Sequence, residues 1–306
     1  MRGSSPAALP QGTTHQEEGP SVRSQNRTSS QRTRIITASA AAVVGALALS
    51  GCSSEVQRGW LPGDRNTTSN TPIITDLWVN SWIAVVIVGV ITWGLMLWCI
   101  VAYRRRKGTT GFPRQISYNL PIEIFYTAIP LFLIFTFFYF TDRDQRAIDN
   151  PNTNPDVTVS VVGKQWSWDF NYKKGGLVKD DVHEAGVQAQ LTGQAIDLNT
   201  LPTLYLPVNK SVTVELTSRD VVHSFWVPAF MQKRDMFPDK INYMYFTPQK
   251  EGTYDGKCAE LCGEYHSEML FRVKVVPEAE FQAHLAGLDK GLLDTKYDRN
   301  PNQNQK

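Results

Sequence analysis

Apolar and polar positions along this chain fall into three regimes. From Ile35 to Leu49 the residues are small and apolar, and Arg23, Arg27, Arg32 and Arg34 precede them. Two longer apolar runs follow, Leu77 to Tyr103 and Leu120 to Phe140. Each can cross roughly 30 Å of hydrocarbon, a thickness that takes about 20 helical residues. Beyond Pro151, Asn152, Asn154 and Pro155 the pattern shortens. Val157-Thr158-Val159-Ser160-Val161-Val162 and Ser211-Val212-Thr213-Val214-Glu215-Leu216 come close to strict alternation, and Lys240 to Thr247 and Leu270 to Val276 add further runs. Short β-branched segments between Pro and Gly turns read as strands. Several of them in series predict an all-β Greek-key sandwich rather than a parallel α/β sheet.

The charges between the long runs orient them. Arg104-Arg105-Arg106-Lys107, with Arg114 shortly after, form a short basic loop, which the positive-inside rule puts in the cytoplasm. Both the segment before Leu77 and everything after Thr141 then lie outside. The first apolar stretch gives the same topology independently. A basic stretch, a short apolar core and Leu49-Ser50-Gly51-Cys52 have the layout of a secretory signal, and the last four residues resemble a bacterial lipobox. Cleavage before Cys52 and lipid on its thiol are expected; the core is short for an uncleaved anchor.

These changes divide the chain. Residues 1–51 are expected as a lipoprotein-type signal and 52–76 as an external segment. A two-helix transmembrane hairpin occupies 77–141, with its cytoplasmic loop at 104–119, and 142–155 is a linker. The sandwich spans 156–277, and a short helix with a polar tail fills 278–306. Residues 173–202 interrupt the strand pattern with Lys173 to Gly176 and the group Asp180, Asp181, His183 and Glu184. They read as an inserted surface excursion and a candidate partner contact. His183 there and His284 in the terminal helix are expected to face solvent and bind no metal.

Chemistry concentrates in Cys258-Ala259-Glu260-Leu261-Cys262-Gly263-Glu264-Tyr265-His266-Ser267-Glu268-Met269. Two thiols, an imidazole and a thioether within one loop select a soft metal, and the thioether favours copper. His223, in Asp220-Val221-Val222-His223-Ser224-Phe225-Trp226-Val227-Pro228, supplies a second imidazole just past a strand. One distant His and a Cys–His–Met loop between the last two strands is the cupredoxin arrangement of ligands. A mononuclear site needs one thiolate, whereas this loop holds two. Of the four cysteines, Cys99 falls in an apolar run and reads as a small hydrophobe. A Cys258–Cys262 disulfide or a zinc site with the two histidines would leave Met269 unused.

The loop resembles, residue for residue, the binuclear copper loop of cytochrome c oxidase subunit II. The resemblance implies that Cys258 and Cys262 bridge two copper ions, the copper A centre. One ion would add His223 and Met269, the other His266 and the backbone carbonyl of Glu260, whose carboxylate would reach a magnesium site shared with subunit I. Gly163-Lys164-Gln165-Trp166-Ser167-Trp168-Asp169-Phe170-Asn171-Tyr172 is similar to the aromatic strand of the family. There Trp166 would receive the electron from a c-type cytochrome; as plain alternation, the same aromatics pack a core. Ser167 and Asn171 stand where many relatives carry Tyr and an acid, which implies an altered docking surface. Glu-x-x-x-Thr-x-x-Pro, from Glu123 to Pro130, resembles the second membrane helix, where the acid marks the mouth of a proton channel. An ordinary helix-start acid remains the other reading of Glu123. Lys233, Asp235 and Asn242 match a segment near the magnesium and proton-exit region.

The expected function is electron transfer from a c-type cytochrome through this subunit to haem in subunit I, where dioxygen is reduced and protons are moved. Subunit I, other oxidase subunits and membrane lipid are the expected partners; nucleic acid is not. Without a Cys-x-x-Cys-His stretch, no c-type haem is fused to the chain and the donor is a separate protein. Lipidation and the insert make the chain similar to the actinobacterial form, which implies a bacterial plasma membrane and a membrane dihaem cytochrome of a bc complex as donor. The whole chain carries a net +2, but from Asp142 onward 19 Lys and Arg face 23 Asp and Glu, a mildly acidic balance. A nitrous-oxide reductase shares the copper loop but lacks the hairpin. A quinol oxidase subunit keeps the hairpin but not the ligands. A membrane-anchored copper carrier is the third reading.

Overall fold

A computed structural model describes residues 35, 38, 39, 53–108, 110–112, 115–188 and 196–296. The expected lipid attachment at Cys52 lies outside the described residues. Residues up to Ser53 form one unit of the chain, and the elements below belong to the other.

A single turn, α1 (Ser54–Gln57), precedes the long helices α2 (Thr71–Ala102) and α3 (Leu120–Ile148). Both are apolar enough to cross a membrane, and their spanning windows bury nothing inside the protein. Their exposed Val, Leu, Trp and Phe side chains therefore require a lipid or protein surround. Pro72 and Pro121 sit at the helix starts, where a missing N–H costs nothing. At α3 the Asn119 side chain accepts from the Ile122 N–H, and the Glu123 carboxylate accepts from the Asn119 N–H at 3.0 Å. Glu123 thus performs the local helix-start role.

Each helix runs beyond its apolar stretch. α2 begins at Thr71 because the segment before it is tied to the sandwich: Ser69 N–H donates to Thr247 O at 2.9 Å and Asn70 Nδ2 to Tyr245 O at 2.7 Å. α3 continues past Phe140 to Ile148, and Asp149 at its end ion-pairs with Arg234.

The sandwich contains β1 (Val157–Lys164), β2 (Ser167–Lys173), β3 (Val182–Ala185), β4 (Thr203–Pro207), β5 (Val212–Ser218) and β6 (His223–Val227). β7 (Gln232–Met236), β8 (Asn242–Phe246), β9 (Gly252–Cys258), β10 (Leu270–Val276), α4 (Glu278–Ala286) and β11 (Asp289–Lys290) complete it. One sheet has the order β11-β3-β2-β1-β5-β8 and the other β4-β10-β9-β6-β7. Neighbours are antiparallel except β1 with β5 and β10 with β4. Alternate residues from both sheets meet between them: Val157, Val159, Val161, Leu204, Leu206, Val214, Leu216, Val273 and Val275 are almost wholly buried. Trp168, Phe170, Phe225 and Phe271 fill the end nearest the metal ligands, with Phe225 and Phe271 stacked at 4.7 Å between centroids.

Two sequence expectations need correction. The stretch 173–202 is not only a surface excursion, because β3 lies within it and pairs with β2. His183 is therefore a strand residue, its Nδ1 3.0 Å from Gly291 O. A four-residue strand with one buried side chain leaves almost no periodic signal. The polar tail is tied down as far as Leu293: β11 pairs with β3, and Asn171 and Leu293 exchange two hydrogen bonds. His284 is half-buried rather than solvated, stacked on Tyr205 at 3.7 Å. Neither histidine joins a metal-ligand cluster among the described residues.

Candidate metal centre

Three elements deliver the ligands to the same end of the sandwich. His223 opens β6, Cys258 closes β9, and Met269 stands immediately before β10. Main-chain bonds fix the loop ends: Cys258 N–H donates to Met269 O and Ala259 N–H to Ser224 O, both at 3.0 Å. The loop from 259 to 268 therefore closes over a short span, and a single 3-10 turn (His266–Glu268) aims His266 inward.

The sulfurs of Cys258 and Cys262 are 3.9 Å apart, and both thiols are free and buried. A disulfide would need about 2.05 Å. Twice a metal–thiolate bond of about 2.3 Å exceeds the observed gap, so one ion can touch both sulfurs. Each sulfur also faces an imidazole, with His223 Nδ1 3.8 Å from Cys258 and His266 Nδ1 3.4 Å from Cys262. Met269 Sδ lies 3.8 Å from Cys262, and Glu260 O 3.3 Å from Cys258. All six ligand positions expected from sequence meet here. This donor set of two thiolates, two imidazoles, a thioether and a carbonyl suits copper.

The neighbours of the ligands hold them in place. His223 is completely buried, and its Nε2 lies 2.8 Å from Asp220 Oδ1, which leaves Nδ1 directed at the sulfurs. Burial works to raise the Asp220 carboxyl, but bonds from His223 and from the Gln165 and Val221 N–H groups hold it below the usual range. For His223, burial opposes the charge, while the bonds to Asp220 and Cys258 outweigh it and raise the imidazole. The Cys262 thiol, bonded to Cys258, holds Cys258 down to about 3 against the effect of burial. Cys262 is pushed up, first by Cys258 and then by burial. The two sulfurs thus favour one thiolate beside one thiol.

Trp166 sits at the β1–β2 turn and touches the loop directly. Its Nε1 donates to Cys262 O at 3.2 Å, and its ring meets Tyr265 edge-on at 4.9 Å. Gln165 Nε2 donates to the same oxygen at 2.7 Å. Sequence reasoning passed over Gln165 and Asp220. Their signals were adjacency to Trp166 and a position three residues before His223. Glu260 is exposed, and Glu123 lies in the hairpin away from this centre.

Fold and site together define a membrane-anchored β-sandwich carrying a copper-type ligand loop. Residues 157–276 match the family described as cytochrome c oxidase subunit II, periplasmic domain. A probable cytochrome c oxidase subunit 2 of Streptomyces avermitilis is 41% identical over 269 residues, covering 78% of this chain and 84% of that protein. Cytochrome c oxidase subunit 2 of Mycobacterium tuberculosis is 33% identical over 310 residues, covering 86% and 85%. The crystal structure of the periplasmic domain of subunit II from Bradyrhizobium japonicum is 32% identical, covering 44% of this chain and 94% of that domain, with a TM-score of 0.38. The chain belongs to the cytochrome c oxidase subunit II family and is a subunit of an oxidase complex. It is a membrane protein whose sandwich lies outside the cytoplasm.

Proposed function

We propose that Cys258 and Cys262 bridge a pair of copper ions, with His223 and Met269 completing one ion and His266 and the Glu260 carbonyl the other. A copper pair there supplies a one-electron relay between a c-type cytochrome and the haem of subunit I. The single observation that carries this reading is the 3.9 Å gap between two unbonded, buried sulfurs, each facing an imidazole nitrogen.

The protein's own residues make the relay work. Cys258, already biased to thiolate, captures cationic metal from an oxidising compartment. Asp220 fixes the His223 ring, and the buried aromatics keep water from the sulfurs. Trp166 accepts the electron at the surface and passes it along its bond to Cys262. The exposed Glu260 carboxylate is free to reach a magnesium ion on the subunit I side, near Lys233, Asp235 and Asn242; Asn242 Nδ2 donates to Asp235 O at 2.6 Å. Glu123 stands at the cytoplasmic start of α3, where a proton channel into subunit I would open. Two spans and a lipid on Cys52 anchor the chain in a bacterial plasma membrane, and the donor is a separate cytochrome, membrane-bound in a bc complex.

Cys258→Ser in the purified oxidase tests this. Oxidation of reduced c-type cytochrome is expected to stop, while haem reduced chemically still consumes dioxygen. Donor oxidation that survives the substitution contradicts the reading.

A further inference from the structure

Residues 165 and 166 form the turn between β1 and β2, and the ladder beside it closes with Lys164 opposite Ser167. Trp168 and Phe170 of β2 belong to the core, so Ser167, Asp169 and Asn171 stand on the outer face of their sheet. The outer face of such a sheet is ordinarily solvated. Here it is covered. Gly186 N–H donates to Asp169 Oδ1 at 3.0 Å, Ser167 Oγ–H to Val187 O at 2.9 Å, and Leu293 N–H to Asn171 Oδ1 at 2.8 Å. Asp169 is 1% exposed.

Two cations are shut in with it. Lys164 Nζ lies 2.8 Å from Asp169 Oδ1, with the lysine side chain 7% exposed, and Arg219 Nη1 lies 3.6 Å from Asp169 Oδ2. A buried ion pair adds little net stability once desolvation is counted, but removing one partner strands the other charge. The arrangement of the three groups is therefore strictly enforced.

These groups come from both sides of the turn and from the neighbouring connection. Lys164 precedes the turn, Asp169 follows it, and Arg219 opens the link from β5 to β6. Arg219 N–H also donates to Gly163 O at 3.0 Å. The next residue, Asp220, accepts from Gln165 N–H at 2.7 Å and holds His223. Asp169 thus ties the turn to the segment that orients a metal ligand. The turn carries Trp166, whose Nε1 donates to Cys262 O at 3.2 Å. Displacing a reacting group by about 1 Å can slow a reaction by ~100-fold.

We propose that Asp169, clasped by Lys164 and Arg219, is a positioning residue for electron entry: it holds the turn so that Trp166 stays within hydrogen-bonding distance of Cys262. The proposal rests on the relay reading above, in which Trp166 admits the electron, and adds the group that sets its place.

Asp169→Asn in the intact oxidase tests it, because the amide keeps the size and an oxygen for Gly186 but removes the charge that faces Lys164. Donor oxidation at saturating cytochrome is expected to fall by about tenfold. The donor KM, the copper absorption and copper-to-haem transfer after flash reduction stay unchanged. Lys164→Met leaves Asp169 its contact with Arg219; it is expected to lower kcat in the same way and decides the matter where Asp169→Asn fails to assemble. If the variants lose thermal stability alone and turn over at the wild-type rate, or if KM rises while kcat holds, the proposal is overturned. A Trp166→Phe complex that oxidises the donor at the full wild-type rate would instead refute the relay reading, and this proposal with it.

Discussion

The indole N–H of Trp166 donates to the carbonyl oxygen of Cys262 at 3.2 Å. An aromatic ring at the rim of the site is therefore one hydrogen bond from the backbone of a thiolate ligand. Gly263 makes the approach possible, since its φ is +124° and a Cβ there would lie 3.0 Å from the Trp166 ring. Trp166→Phe keeps an aromatic side chain but replaces the indole and removes its N–H. Donor oxidation is expected to slow by about tenfold, or ~1.4 kcal/mol of barrier, with copper absorption retained. Stopped-flow oxidation of reduced cytochrome checks this; an unchanged rate assigns Trp166 to packing alone.

Gly163 of β1 faces the His223 ring. A Cβ built there would fall 2.9 Å from Cδ2 and 3.1 Å from Cγ. His223 cannot retreat, because it is fully buried and held by Asp220. Gly163→Ala is thus expected to displace the imidazole and weaken copper retention about 10–100-fold, the scale seen when ligand orientation is lost. Competition with a copper chelator measures it. Retention equal to wild type would mean that the ring has room to move.

Asp156 fastens the start of β1 to the turn before β5. Its Oδ2 accepts from Ser211 N–H and Oγ–H, each at 2.8 Å, and these bonds hold its carboxyl below the usual value. A carboxyl depressed in the folded state adds stability above its unfolded value of about 3.9, and that stability drains away as pH falls through the folded value. Asp156→Asn should therefore lower the melting temperature at pH 7. The difference from wild type should shrink as pH falls below about 4. Thermal unfolding of the detergent-solubilised chain across this range checks it, and a pH-independent difference would contradict the sign.

Much of this arrangement was legible in the residues. The apolar runs announced both long helices, and alternation announced β1, β5, β8 and β10. The Cys–Cys–His–Met loop and His223 were readable from residue type and spacing as a soft-metal constellation, and these side chains do come together; the Glu260 carbonyl was implied only by the resemblance to the family. What escaped depended on partners distant in sequence. β3 and β11 exist because each lies against a strand already in place, and their own side chains carry almost no pattern. The stack of His284 on Tyr205 sets a residue of α4 against one of β4, a pairing that no local window contains.

The claim on which the account depends is that two metal ions share the sulfurs of Cys258 and Cys262. Electron paramagnetic resonance of the oxidised, purified complex measures this most directly. One unpaired electron should show hyperfine splitting from two equivalent copper nuclei, and Cys262→Ser should abolish that pattern. Splitting from a single copper nucleus, or a spectrum that Cys262→Ser leaves unchanged, would contradict it.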